Sequence, residues 1–195
     1  MDKILITGSD NIIIRQAEIS DAGALLDVYR YYVENTAITF EYEVPSENEF
    51  KDRITGITTR YPYLVVEKDG QIIGYAYTSA FHERKAYEWS AEMSIYLSDK
   101  GKGLGLGRKL YEILEDISKR QGITNLYACI AAPQAEDEYL SDNSIRFHEH
   151  MGYKIVGRFT KCGYKFGRWY DMVWMEKMIA DHSPKIKDII PYSSI

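Results

Sequence analysis

The stretch Lys102-Gly103-Leu104-Gly105-Leu106-Gly107-Arg108 joins an apolar run, Met93 to Leu97, to a repeat of apolar residues at helical spacing that begins near Leu106. Its glycines leave bare backbone where a turn opens into a helix. A helix N-terminus carries unpaired N–H groups and a partial positive charge, so such a turn suits an anion, most simply a diphosphate. Two phosphate motifs are excluded by spacing. A P-loop requires Gly, four residues and then Gly-Lys-Ser/Thr, and a dinucleotide fingerprint requires its third Gly where Arg108 stands. Taken alone, the stretch also reads as a tight turn of flexible residues, so its surroundings carry the decision.

Outward from the loop, Leu106, Leu110, Ile113, Leu114 and Ile117 line one helical face, and Gly122 follows as a C-terminal cap would. Upstream, Ile12-Ile13-Ile14 reads as a short buried strand, and Ser20 is placed to cap a helix bearing Leu25, Val28, Tyr29, Tyr32 and Val33. Pro45-Ser46 opens a more polar helix through Phe50, Ile54 and Ile57, which Tyr61-Pro62 ends. Tyr63 to Glu67 and Ile72 to Thr78 predict a hairpin across Asp69-Gly70, and a further strand is expected from about Tyr87 to Leu97.

Downstream, Asn125 to Ala131 reads as a strand, Pro133 to Leu140 as a solvated acidic loop, and Asp142 or Asn143 as the cap of a short helix ending at Gly152. Tyr153 to Tyr164 and Arg168 to Met178 close as a hairpin about Gly167. From Ala180 onward a tail is expected, because Pro184 and Pro191 discourage a long helix. The result is an α/β (α+β) fold: a mixed central sheet of about seven strands flanked by about four helices. We expect one domain over 12–178, an extension over 1–11 and a tail over 179–195.

A chain of 195 residues has room for one well-buried domain and little for a second. Hydrophobic content of 45% and charged content of 27% point away from disorder. No apolar stretch approaches a bilayer span, and Met1 to Asn11 lacks the apolar length and cleavage site of a secretory signal, so the cytoplasm is expected. A net charge of -5 argues against nucleic acid or an acidic membrane and leaves a small or amine-bearing partner. Cys129 and Cys162 are expected as reduced thiols. They and the four histidines share no ligand spacing, so no metal is expected. Seventeen tyrosines serve equally as core, dimer face or substrate wall.

The glycine loop resembles the Arg/Gln-x-x-Gly-x-Gly/Ala loop of the GNAT N-acetyltransferase superfamily, with Lys102 in the Arg/Gln place. The order of elements is similar as well. The likeness spans roughly Ile12 to Met178 and is nearest to the phosphinothricin and methionine sulfoximine/sulfone N-acetyltransferase group. It is carried by Thr39-Phe40, Arg60 to Val65, Arg84 to Trp89, Glu92, Leu104 to Gly107, His148 to Tyr153 and Gly163-Tyr164-Lys165.

The resemblance implies acetyl-CoA as co-substrate and direct transfer of its acetyl group to the amine of a small amino acid analogue. Glu92 would be the general base, directly or through water, with Glu88 its rival four residues earlier. Backbone groups of Ile95, Tyr96 and Leu97 would take the pantetheine arm. The diphosphate would rest on Lys102, Gly103, Leu104, Gly105, Leu106, Gly107 and Arg108. Asn143 and Ser144 would add polar contacts, although Ser141 holds the place where related sequences often carry the Asn. His148 stands where many superfamily members use a Tyr to protonate the departing thiolate. Arg84 would take a carboxylate or phosphinate between walls of Phe40 and Tyr87. A homodimer is implied. Another small amine, a protein N-terminus, or a non-catalytic acetyl-CoA sensor remain open alternatives.

Overall fold

The structure, a computed structural model, describes residues 4–7, 11–185 and 187–195. Among them the sheet has eight strands: β1 (Ile4–Thr7), β2 (Ile12–Gln16), β3 (Tyr63–Lys68), β4 (Gln71–Ala80), β5 (Ser90–Leu97), β6 (Asn125–Ala132), β7 (Lys154–Lys165) and β8 (Arg168–Met178). They lie in the order β1-β2-β3-β4-β5-β6-β8-β7. Helices α1 (Ala22–Asn35) and α2 (Glu47–Thr58) cover one face; α3 (Leu106–Gln121) and α4 (Asn143–His150) cover the other. The expected mixed sheet with four helices is present, with one strand more.

Local chemistry explains most boundaries. Asp69 and Gly70 both take positive φ (49° and 76°), the geometry a two-residue turn needs to match the twist of β3 and β4. Ser46 and Glu49 exchange side-chain and backbone hydrogen bonds in a capping box that starts α2. Along β3, Tyr63 and Val65 bury against α1 and α2, while Leu64 and Val66 bury against α3, so the run is apolar throughout. In α3, Leu110, Leu114 and Ile117 are fully buried, and Gly122 ends the helix with φ 95°.

The structure departs from the sequence reading at several places, some through local turns and some through contacts made elsewhere in the chain. The N-terminal extension contributes β1, which pairs antiparallel with β2. Asp21, not Ser20, occupies the N-cap of α1, because Glu18 and Asp21 close a reciprocal box around a 3-10 turn, Ile19–Asp21. β5 begins at Ser90, since Lys85–Tyr87 form another such turn. The acidic loop is ordered: Asp137 accepts from the N–H groups of Tyr139 and Leu140 and from the Tyr170 hydroxyl, and it pairs with Arg168. The tail returns over the molecule and buries Tyr192. Cys129 and Cys162 are free and exposed. Among the described residues no helix is long and apolar enough to cross a membrane.

Candidate active site

β5 and β6 run parallel and pair only where Ser90, Ala91 and Glu92 face Asn125, Leu126 and Tyr127. Beyond that point they part. Ser98 N–H donates to the Ile73 carbonyl, and alternation in an antiparallel ladder then gives Tyr96 and Ser94 to β4 and turns the backbone of Ile95 and Met93 toward the gap. Of the three residues expected to offer backbone groups, Ile95 does so. Tyr96 spends its backbone on β4, and its ring packs among Tyr29, Tyr32 and Tyr75 on the α1–α2 face. The Tyr32 hydroxyl takes both the N–H and the carbonyl of Leu97.

The glycine loop lies at the open end of this gap. Gly103 and Gly105 have φ of 75° and 72°, with open space where a side chain would stand. Gly107 is confined instead: a Cβ there would lie 3.2 Å from the Phe147 ring and 3.6 Å from Ile95 Cδ1, so loop, α4 and β5 meet closely. Among the described residues, no backbone partner takes the N–H groups from Gly103 to Arg108. That row of donors at a helix start suits an anion. Arg108 is exposed, while Lys102 is paired with Asp99 at 2.7 Å, an exposed contact that an incoming anion can exchange.

Glu92 stands where the paired and parted segments of β5 meet. Burial pushes its carboxyl up to about 7, and no cation or hydrogen-bond donor among the described residues offsets that. It borders a cavity of about 450 Å³ on the α1–α2 face, walled by Tyr29, Phe50, Tyr63, Tyr75, Tyr77 and Tyr96, with the Arg53–Glu41 ion pair on its exposed side. A carboxylate so placed can accept a proton near neutral pH. Glu88 is placed differently. It lies outside β5, and its carboxylate is held by Arg60 at 2.9 Å.

In the gap itself, a cavity of about 60 Å³ is lined by Ile95, Tyr111, Cys129, Ser144 and His148 among others. His148 is buried. Its Nδ1 faces the Ser144 carbonyl at 2.7 Å and must donate, so in the neutral ring Nε2 accepts from the Tyr111 hydroxyl at 2.8 Å. Burial lowers the imidazole to about 4, with the Ser144 contact opposing in part. The ring is therefore neutral at neutral pH and its one N–H is already committed. The expectation that His148 donates a proton therefore meets a ring with both nitrogens already partnered. Ser144 lines the gap, whereas Asn143 is exposed and its N–H turns to Ser141 Oγ at 3.4 Å.

The other predicted residues lie on loops. Arg84 and Tyr87 share an exposed hollow of about 500 Å³ with His82 and Glu83, separate from the cavity beside Glu92. Rings connect the two places: Tyr87 meets Phe81 edge-on at 5.8 Å, and Phe81 stacks at 4.3 Å on Tyr127, which pairs opposite Glu92. Phe40 lies over Gly163, where a Cβ would come within 2.3 Å of its ring, and it packs beside Tyr170. Lys165 fixes that loop. Its buried ammonium donates to the carbonyls of Thr36 and Thr39 at 2.9 and 2.8 Å, and burial lowers its pKa.

Tyr32, Tyr111 and Lys165 had no assigned role in the sequence reading. Tyr111 and Tyr32 sit on the buried faces of their helices, where apolar spacing marks them only as core, and Lys165 belongs to a segment noted for its likeness but not for its contacts. Among the described residues, no group of three His, Cys, Asp or Glu could hold a metal ion.

A sequence profile described as an acetyltransferase (GNAT) domain matches residues 14–174. A phosphinothricin N-acetyltransferase of Streptomyces viridochromogenes is 34% identical over 164 residues, 84% of this chain and 86% of that protein. An L-methionine sulfoximine/L-methionine sulfone acetyltransferase of Salmonella typhimurium is 30% identical over 171 residues, 87% of this chain and 96% of that protein. Among solved structures, a GNAT superfamily phosphinothricin acetyltransferase from Sinorhizobium meliloti, in complex with AcCoA, superimposes with a TM-score of 0.80 at 31% identity, covering 93% of this chain and 98% of that one.

Proposed function

The chain belongs to the GNAT acetyltransferase family and is an acetyl-CoA-dependent N-acetyltransferase; from that premise we propose that its acceptor is the amino group of a small amino acid analogue of the phosphinothricin or methionine sulfoximine type. The observation that carries the mechanism is Glu92, a half-buried, unpaired carboxylate held near 7 at the point where β5 and β6 part. Acetyl-CoA supplies the acetyl group as a thioester. The N–H groups from Gly103 to Arg108 hold its diphosphate, Ile95 holds the pantetheine arm, and Ser144 borders the gap. Glu92 removes the proton that keeps the acceptor amine unreactive and so frees its lone pair for attack on the thioester carbonyl. His148, neutral and fixed by Tyr111, positions the sulfur end of the gap rather than acting as an acid.

Arg84 holds the acid group of the acceptor, with Tyr87 and Phe40 as walls, because a guanidinium makes two-point contacts with a planar anion. The relatives named above, which act on amino acid analogues, support this substrate class. We further propose a homodimer seated on the edge strand β7, where Ile155, Val156 and Phe159 are exposed. The reaction belongs in the cytoplasm, where acetyl-CoA is at hand and Cys129 and Cys162 stay reduced.

The test is CoA release across a panel of amines with and without an acid group, using the parent enzyme and Arg84→Ala. The expected outcome is a rise of about tenfold or more in KM for acid-bearing acceptors only. Equal activity of the parent toward amines without an acid group removes Arg84 from the site, and no turnover with any amine removes the substrate class.

A further inference from the structure

The family match ends at residue 174, and the chain that follows β8 folds back onto the segment connecting the acceptor loop to Glu92. Trp89, between Tyr87 and Glu92, donates its indole N–H to the Lys187 carbonyl at 2.8 Å. Its own carbonyl takes the N–H groups of Thr124 and Asn125 at 2.8 and 3.2 Å, which anchors it to the start of β6. The neighbouring Glu88 is held by Arg60, and the Arg60 carbonyl accepts from Tyr192 N–H at 3.0 Å and from Gln121 Nε2 at 2.8 Å. Gln121 also binds Ile190 twice, by carbonyl and by side chain. Tyr192 is 2% exposed, and Ile189 joins the main core. Residues 187–195 therefore hold Glu88 and Trp89 by two routes, one direct and one through Arg60.

We propose that residues 187–195 are a positioning strap which, through Trp89 and Arg60, sets the 81–89 loop and with it the acceptor site. The proposal rests on the reading that Arg84 and Tyr87 bind the acceptor. The loop needs such support. Residues 82–87 are all exposed, so little burial of their own fixes their geometry. A small displacement of a substrate-positioning side chain weakens acceptor binding while leaving a cofactor site built elsewhere intact.

The test uses the full chain with Trp89→Phe, which keeps a ring and loses the N–H, Tyr192→Ala, which removes the buried anchor, and both together. The expected result is an acceptor KM raised about threefold to tenfold in each single variant, with the acetyl-CoA KM within about twofold of the parent. The double variant should be no worse than Tyr192→Ala alone, because loss of the buried anchor releases both routes, the direct one through Lys187 included. Hydrogen exchange of residues 82–89 should quicken in Tyr192→Ala, a readout that does not depend on turnover. An unchanged acceptor KM, additive effects, or equal rises in both KM values overturn the strap. A parent enzyme that acetylates no amino acid overturns the acceptor reading instead, so the two failures are distinguishable.

Discussion

The floor that runs from Gly103 along Ile95 and the rim that carries Phe40, Arg84 and Tyr87 are built from different material. The floor is main chain. Its donors are fixed by a helix start and by the parting of two strands, and its side chains matter mostly by being absent, as at Gly103 and Gly105. The rim is side chain on loops, and each loop is held from a distance: Thr36 and Thr39 by Lys165, Glu88 by Arg60, Trp89 by Lys187. A main-chain site is specified locally and binds the invariant part of a reaction. A loop site is specified by remote contacts, which lets the acceptor vary without disturbing the cofactor. Glu92 stands where the two meet.

Substitutions at and around that junction show whether the two sides are as separate as their construction suggests. The largest effect is expected from Glu92→Gln, with kcat lowered about 10²-fold to 10⁴-fold and both KM values little changed. In the parent, kcat/KM should rise with pH through about 7, and the variant should lose that dependence. Stability gives an independent sign. Because the folded carboxyl is raised from 4.5 to about 7, its contribution is fully present below 4.5 and lost as pH rises through 7. Glu92→Gln should therefore match the parent at low pH and exceed it at pH 8 by about 1–3 kcal/mol, less where solvent reaches the group. A variant no more stable than the parent at pH 8 would place this carboxylate in a wetter site than the cavity wall.

Gly105→Val comes next. A branched side chain at φ 72° is strained by about 1–2 kcal/mol and projects where the anion would lie, so the acetyl-CoA KM should rise at least about tenfold with the acceptor KM unchanged. A matching rise in both would mean that floor and rim move together. The smallest effect belongs to Lys102→Ala. Its ammonium is exposed and already shared with Asp99, so a change of about threefold or less in the acetyl-CoA KM is expected. A larger loss would give the side chain the role assigned to main-chain donors.

The same division explains what was legible in the sequence. The glycine loop, the Asp69-Gly70 hairpin, α3 with its Gly122 end and the order of elements were all readable, because each rests on backbone geometry or periodicity within a short window. The place of Glu92 on its strand was readable as well. The point along β5 at which it parts from β6 was not. It is defined by a ladder that stops at Tyr127, and nothing within β5 marks it. His148 was placed on its helix, but its two partners, Ser144 and Tyr111, were not readable, since one of them comes from α3. Leu97 was expected to be open because Tyr32 read only as core. The acidic loop and the tail were underestimated for the same reason: Arg168 orders one, and Arg60, Gln121 and Trp89 hold the other, all remote in sequence.

A crystal structure of this enzyme with acetyl-CoA and a slow acceptor analogue would decide the matter. The diphosphate should accept hydrogen bonds from N–H groups between Gly103 and Arg108, the pantetheine should lie along Ile95 in the gap, and the acceptor nitrogen should be within direct or water-bridged reach of Glu92. A coenzyme bound with those N–H groups unoccupied, or a thioester on the far side of β5 from Glu92, would contradict the account.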